Sequence, residues 1–197
     1  MKKLITLLTA LLVSLSTQAT LLSVELNQDN YQIGDVLTAD FIISDIEEDT
    51  FGFQKLLATF DFNVSWDNSL IEYVSTSFGN KLNVGAGSDQ FSDVMVDNLG
   101  LSETSYAWWD ELLPVQDGLS RFILASVDFT VIGSGSGSLG LSDLAFGDDF
   151  GAAFTGVSSS GNTYSVTSGN PVDVPEPASV LLMFMALILL ARQQKMS

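Results

Sequence analysis

The residues with the clearest capacity for chemistry are two acidic stretches. One is the run at positions 45–49, whose acids are Asp45, Glu47, Glu48 and Asp49, and the other is the pair Asp148 and Asp149. Calcium is the ion that such loops would bind, because it takes several oxygen ligands from a flexible segment. Neither stretch has the alternating acids and sixth-position glycine of an EF-hand loop. The sequence therefore favours a solvated acidic loop and no cofactor, with calcium bound at these acids as the alternative.

The inventory of side chains argues against catalysis. The chain contains no histidine and no cysteine, which excludes Ser-His-Asp and Cys-His nucleophilic sites and histidine-based zinc sites. Carboxylate pairs of the glycosidase kind remain at 110–111 and 148–149, but adjacent residues on a strand point to opposite faces and make poor partners. We expect no enzymatic activity.

The most aromatic stretch is Tyr106-Ala107-Trp108-Trp109. Flat, exposed rings of this kind stack on the faces of sugars. If the stretch is a strand, alternation places Tyr106 and Trp108 towards the core and leaves Trp109, near the strand's end, exposed. Trp109 is therefore the candidate ligand-binding residue for a polysaccharide, and core packing of the stretch is the alternative.

The charge balance excludes one class of partner. The chain has 24 acidic and 7 basic residues, for a net charge of −17. Between the two apolar ends of the chain, the basic residues are only Lys55, Lys81 and Arg121. Binding to nucleic acid requires a basic surface, so a nucleic acid partner is excluded. A dispersed acidic surface favours solubility.

Alternation of apolar and polar residues predicts the strands that must position these side chains. Three long runs place these residues on one face each: Leu37, Ala39, Phe41 and Ile43; Phe60, Phe62, Val64 and Trp66; Ile123, Ala125, Val127, Phe129 and Val131. Shorter candidates lie at 23–26, 71–76, 94–97, 105–108, 139–144 and 164–167, with a Gly-Ser hairpin loop at 133–138. About nine strands and no amphipathic helix indicate an all-β, two-sheet β-sandwich, with a barrel as the alternative.

Both ends of the chain carry targeting features. Lys2 and Lys3 precede an apolar segment at 4–15 and small residues up to Ala19, so residues 1–19 form a predicted signal peptide cleaved between Ala19 and Thr20. The other end has 14 uncharged residues at 178–191 followed by Arg192 and Lys195. The positive-inside rule places both basic ends in the cytoplasm and the body outside.

The tail resembles a known sorting signal. Its parts are Pro175-Glu176-Pro177, the apolar helix and the basic end with Arg192 and Lys195, and in this order they resemble the PEP-CTERM signal at 175–197. The resemblance implies that an exosortase processes the chain during its passage through the inner membrane of a Gram-negative-type bacterium. The protein would then reach the cell surface or the extracellular matrix. A permanently anchored single-pass envelope protein is the alternative.

The body resembles a cohesin domain. The resemblance rests on the segment 23–44 with its Gly34-Asp35 turn, on 62–74 with Asn68 where proline is usual, and on 118–131 and 139–146. It implies a jelly-roll sandwich at 20–168, of a kind shared with carbohydrate-binding modules, followed by a spacer at 169–174. The implied partner is a dockerin-like protein or a polysaccharide, and no contact residue can be transferred from the family.

Overall fold

The computed structural model describes residues 19–168. The predicted signal peptide up to residue 18, the spacer at 169–174 and the sorting tail with its transmembrane segment at 178–191 lie outside the described residues. The elements are β1 (Thr20–Leu26), β2 (Asn30–Gln32), β3 (Val36–Ser44), β4 (Leu57–Ser65), β5 (Ile71–Phe78), β6 (Ser88–Val94), β7 (Asn98–Ser105), α1 (Trp109–Gln116), β8 (Arg121–Val131), β9 (Gly135–Asp148), β10 (Val157–Ser160) and β11 (Asn162–Thr167).

The strands form two sheets packed face to face. One has five strands in the order β10-β1-β3-β8-β5, and the other has six in the order β2-β11-β9-β4-β7-β6. Neighbouring strands are antiparallel except for the parallel pairs β1–β10 and β2–β11. The all-β, two-sheet sandwich predicted from alternation is therefore confirmed, with eleven strands in place of about nine.

The core lies between the sheets and is rich in aromatic rings. Phe41 of the five-stranded sheet contacts Phe62 of the six-stranded sheet with ring centroids 5.5 Å apart, and Trp66 contacts Phe129 at 5.2 Å. Burial of each such ring contributes about 2–3 kcal/mol. All four side chains were predicted to face inward, and all four are buried.

Strand β8 departs from the predicted alternation near its start. Phe41 pairs with Ala125 and Ile42 pairs with Ile123, which leaves Leu124 as an extra residue in a β-bulge. The bulge reverses the side-chain directions before it, so Ile123 is 40% exposed and its prediction as a core residue is wrong.

The predicted strand at 105–108 is wrong, because β7 ends at Ser105 and the chain enters α1. The Glu111 carboxylate accepts the backbone N–H of Trp108 at 2.9 Å and so satisfies one of the free donors at the helix start. Only two residues of this short helix, Leu112 and Gln116, are buried. A stripe of two residues in a segment interrupted by Pro114 gives too weak a periodic signal to predict a helix.

Two other predicted boundaries also differ. Val94 ends β6, so 95–97 is the turn to β7 and not a strand. The Gly-Ser segment is a loop only to residue 134, because β9 begins at Gly135 and pairs there with β11. A Cβ atom at Gly137 would lie 2.5 Å from the ring of Tyr164, so this glycine is required by close packing of the ring on the strand.

Within residues 19–168, no helix is long and apolar enough to cross a membrane.

Candidate functional site

The outward face of the six-stranded sheet is acidic. Because Phe60, Phe62 and Val64 point inward, the alternate residues of β4 point outward. Strand register then aligns three rows across β6, β7, β4 and β9: Asp89-Thr104-Thr59-Gly147, Phe91-Ser102-Asp61-Ala145 and Asp93-Gly100-Asn63-Ser142. We call these twelve residues, together with Asp143, the acidic sheet face.

Two carboxylates of the acidic sheet face have no partner within residues 19–168. Asp89 accepts the hydroxyl of Tyr106, which raises the pKa of that tyrosine, and Asp143 accepts the side-chain amide of Asn63 at 2.8 Å. Among the described residues, Asp61 and Asp93 form no side-chain hydrogen bond or salt bridge. The Phe91 ring in the middle row is 63% exposed. The face therefore presents one apolar ring surrounded by negative charge.

The acids on the outward face of the five-stranded sheet are mostly paired. Three of its carboxylates have partners from neighbouring strands: Ser126 donates to Asp40 at 2.6 Å, Thr38 donates to Asp128 at 2.7 Å, and Arg121 lies 2.7 Å from Glu25. Glu72 of β5 is exposed and has no partner among the described residues. Unmatched charge is therefore more concentrated on the acidic sheet face, where Asp61 and Asp93 lie beside Phe91.

A second candidate site is a cavity of about 500 Å³ at one end of the sandwich. It lies between α1, the loop from β3 to β4 and the loop from β9 to β10, and we call it the α1 cleft. Its lining includes the rings of Phe53, Trp109 and Phe150 together with Gln54 and Asp149. The two phenylalanine rings are 71% and 84% exposed.

The two loops of the cleft have the same internal structure. Asp49 Oδ1 accepts the N–H groups of Phe51 and Phe53 at 2.8 and 3.0 Å. Asp148 Oδ1 accepts those of Phe150 and Ala152 at 3.0 and 2.7 Å. Each loop thus follows an Asp-x-Phe-Gly pattern that points a ring outward, and its glycine has a positive φ, +84° at position 52 and +80° at position 151.

A lysine links the two loops. Lys55 Nζ lies 2.5 Å from Glu47 Oε1 and 4.0 Å from Asp148 Oδ2. The Glu47 carboxylate also accepts the N–H and hydroxyl of Thr155, each at 3.1 Å. Burial raises the pKa of Glu47, but the bonds from Lys55 and Thr155 outweigh it and hold this pKa below its usual value.

Two polar atoms of the cleft are buried without a hydrogen-bond partner. They are the amide nitrogen Nε2 of Gln54 and the carboxylate oxygen Oδ2 of Asp149. Burial raises the pKa of Asp149, and the neighbouring charge of Asp148 adds to this effect. Such orphaned groups cost stability.

The acids predicted as calcium ligands are arranged differently from a metal site. Residues 19–168 contain no group of three or more acidic side chains placed to hold one ion. Glu47 binds Lys55 and Thr155, Asp49 and Asp148 hold their own loops, and Glu48 is exposed. Asp45 lies in the same stretch. Calcium at these loops stays a prediction.

The burial predicted for the aromatic stretch is right at one position and wrong at two, and ligand binding by Trp109 stays a prediction. Trp109 is 51% exposed at the start of α1, in agreement with the predicted exposure. The placement of Tyr106 and Trp108 in the core is wrong, because both are exposed where the chain leaves the sheet after Ser105. Sequence reasoning missed Phe53, Phe150 and Gln54, although the repeated Asp-x-Phe-Gly pattern was a signal that could have found the two loops.

Comparison with known proteins identifies the fold of this chain but not its family. No protein-family model and no curated protein matches the chain. Solved cohesin structures do match. The cohesin module from the family 33 glycoside hydrolase of Clostridium perfringens has 14% identity and a TM-score of 0.60, and the match covers 77% of this chain and 99% of that module.

Two further structures extend this comparison. A non-cellulosomal cohesin from Archaeoglobus fulgidus matches with 15% identity and a TM-score of 0.55, covering 77% of this chain and 94% of that one. A type I cohesin–dockerin complex from Clostridium thermocellum matches with 10% identity and a TM-score of 0.57, covering 74% and 99%. At these identities the likeness shows a shared fold: the sandwich is of the cohesin jelly-roll type.

Proposed function

We propose that this chain is an exported, non-catalytic protein of the cell surface or extracellular matrix, whose sandwich binds a protein partner through the acidic sheet face. Similar cohesin structures occur in complexes with dockerins, which supports a protein-interaction role and a dockerin-like partner. The observation that carries the choice of surface is the exposed ring of Phe91 beside the unpaired carboxylates Asp61 and Asp93.

The shape of the face suits a flat protein surface. Two of its outward positions are Gly100, which is partly exposed, and Ala145, which is exposed, so the backbone of β7 and β9 is accessible there between the polar side chains. A partner can approach closely there without displacing large side chains. Exposed aromatic residues at such positions are frequent centres of binding energy in protein interfaces.

The charge of the face defines the partner's chemistry. Its acids are Asp61, Asp89, Asp93 and Asp143, and none of the described lysine or arginine residues lies among its rows. The complementary surface therefore carries lysine or arginine residues around an apolar pocket for Phe91. Attraction between such surfaces accelerates association and weakens as salt screens it.

The test uses the full-length chain in detergent as bait, with purified dockerin modules of differing surface charge as probes. We expect binding by a basic dockerin that weakens as salt rises, and roughly tenfold weaker binding for the Phe91→Ala variant. Asp93→Lys should reduce binding further.

The matched control is Glu72→Lys, which reverses an exposed charge on the other sheet and should bind normally. Equal loss in the control and in the face variants would contradict this assignment.

Export and sorting complete the proposal and rest on the residues of the two ends. The signal peptide ending at Ala19 would direct export across the inner membrane. An exosortase would then recognise Pro175, Glu176 and Pro177 and process the transiently anchored chain. The absence of histidine and cysteine from the sequence supports a non-catalytic role.

A further inference from the structure

We propose that the α1 cleft binds an uncharged saccharide, with a pyranose ring stacked on Trp109 and its hydroxyl groups bonded to Gln54 and Asp149. This site goes beyond the protein contact proposed for the acidic sheet face. It lies at the end of the sandwich, on different loops, and uses none of the residues of that face.

The size and lining of the cleft fit a small polar ligand. Its volume of about 500 Å³ falls in the range of pockets that hold small molecules. Three exposed rings, those of Phe53, Trp109 and Phe150, line the cleft. Aromatic faces pack well against the C–H face of a pyranose, which is apolar, while the sugar's edge stays free for hydrogen bonds.

The two unpartnered polar atoms favour a ligand that carries hydroxyl groups. Gln54 Nε2 can donate and Asp149 Oδ2 can accept, and both atoms are buried without partners. A sugar hydroxyl reaches them when the two side chains turn towards the cleft that they line. A sugar hydroxyl both donates and accepts, so neighbouring hydroxyls can satisfy the two atoms at once. An apolar ligand would leave both unsatisfied and would therefore bind weakly.

The charges of the cleft exclude acidic sugars. Asp49, Asp117, Asp148 and Asp149 all line it, and the one lysine in the lining, Lys55, is already paired with Glu47. A uronic acid or a phosphosugar would bring a further negative charge next to these carboxylates. An acidic sugar is therefore a poor ligand, whereas the uncharged saccharide that we propose meets no such repulsion.

The cleft is held in shape before any ligand arrives. The carboxylates of Asp49 and Asp148 fix the two loops, and Lys55 with Glu47 joins them. The side chain of Gln116 fixes α1 to β4 through bonds of 2.8 Å to Leu57. Binding then needs little ordering of the protein, which favours affinity for a small ligand.

The experiment is isothermal titration of the full-length chain in a sugar-free detergent. The probes are neutral oligosaccharides of glucose, mannose, galactose and xylose, with oligogalacturonate as the acidic comparison. We expect saturable binding of at least one neutral oligosaccharide and much weaker binding of oligogalacturonate. Absence of binding by every neutral probe, or preference for the acidic one, would overturn the proposal.

Variants locate the site. Trp109→Ala should weaken binding by roughly tenfold or more, and Gln54→Met by roughly three- to tenfold. The matched control is Phe51→Ala, which removes an exposed ring of the same loop that does not line the cleft, and it should leave affinity unchanged. Equal effects of Phe51→Ala and Trp109→Ala would overturn the assignment.

Asp149→Asn separates a binding role from a structural one. The change removes a buried negative charge, so the variant should be at least as stable to urea as the original chain while its sugar affinity falls. A loss of stability together with unchanged affinity would overturn the role of Asp149. Failure of the sugar site is distinguishable from failure of the proposed protein contact, because Phe91→Ala should affect dockerin binding and leave sugar binding unchanged.

Discussion

Asp49 and Asp148 occupy equivalent positions in the two loops of the α1 cleft. Each accepts the N–H groups two and four residues further along with one carboxylate oxygen. In each loop, the backbone N–H of the aspartate also bonds to the carbonyl four residues further on, at 2.7 and 2.9 Å. The same local chemistry therefore builds two turns far apart in sequence that line one cavity.

The glycine of this loop pattern gives the first prediction. Gly151 has φ of +80° and open space around its Cβ position, so Gly151→Ala introduces backbone strain without a clash. We expect it to lower the free energy of unfolding by about 1 kcal/mol. Gly156→Ala, at an ordinary φ with room for a methyl group, is the control and should be near neutral. Urea unfolding measures both, and equal effects would argue against strain in the loop.

The second prediction concerns Gln116, which is fully buried. Its side chain accepts the N–H of Leu57 at 2.8 Å and donates to the carbonyls of Leu57 and Lys81 at 2.8 and 3.1 Å. Gln116→Leu leaves three backbone groups without these bonds, so we expect a loss of about 3 kcal/mol in the free energy of unfolding. The control is Gln32→Leu at an exposed position of β2, which should change stability little. A loss no larger than that of the control would show that Gln116 does not fix α1.

The long strands could be predicted because alternation and burial agree in them. Phe60, Phe62 and Val64 sit in a strand whose inward face meets the other sheet, so a period of two follows directly from the packing. The prediction that Ile123 faces the core was wrong because a bulge inserts one residue into β8. Nothing in the composition of the run marks where this insertion falls.

The candidate sites were harder to predict because they form only when strands and loops that are separate in sequence are brought together by the fold. Phe91 and Asp61 belong to strands far apart in sequence and share a row only through their common neighbour Ser102. Trp109 was identified by its residue type, but its partners in the cleft come from two loops that the sheets bring together. Short helix α1 is fixed by Gln116 and β4, a long-range contact that local periodicity does not report.

The third prediction concerns Glu47, whose carboxylate should make the stability of the fold depend on pH. The pKa of Glu47 lies below its usual value of 4.5 in the folded chain because its bonds to Lys55 and Thr155 outweigh burial. A lowered folded pKa means that this stabilisation is complete above the unfolded pKa and is lost as the pH falls through the folded one. Stability should therefore decline in the acid range below pH 4.5.

Glu47→Gln tests this dependence. We expect the variant to be less stable by about 2 kcal/mol at neutral pH, because Lys55 loses its closest partner. The difference should shrink in acid, where the original carboxylate also becomes protonated. Urea unfolding at neutral pH and at about pH 3 measures the change, with exposed Glu48→Gln as the control. A constant difference at both pH values would contradict the assignment.

The fourth prediction concerns calcium at the two acidic loops. The folded chain brings the segments of Asp45–Asp49 and Asp148–Asp149 to the same end of the sandwich, whereas the unfolded chain does not. An ion bound only by the folded loops raises the melting temperature by mass action. We expect a higher melting temperature in millimolar calcium than with a chelator, and magnesium at the same ionic strength is the control. Identical melts would remove calcium as a ligand.

The fifth prediction concerns processing of the tail. The apolar segment at 178–191 has 14 residues, and as a helix it would span roughly 21 Å, less than the ~30 Å core of a bilayer. Such a segment is better suited to transient than to permanent anchoring. A proline favours an extended conformation for the residue before it, and an extended triad is a form that a processing enzyme can bind. We therefore expect Pro175→Ala with Pro177→Ala to leave the chain unprocessed at the inner membrane.

The measurement is the mass and location of the protein in its native host. The unaltered chain should lose its tail and reach the cell surface or matrix, and the double variant should stay full-length. Pro171→Ala, a proline in the spacer outside the triad, is the matched control and should be processed normally. A permanent anchor needs only hydrophobicity and the basic end with Arg192 and Lys195, so it would tolerate the change. If the unaltered chain and the double variant both remain full-length at the inner membrane, the tail is an anchor and the sorting proposal is wrong.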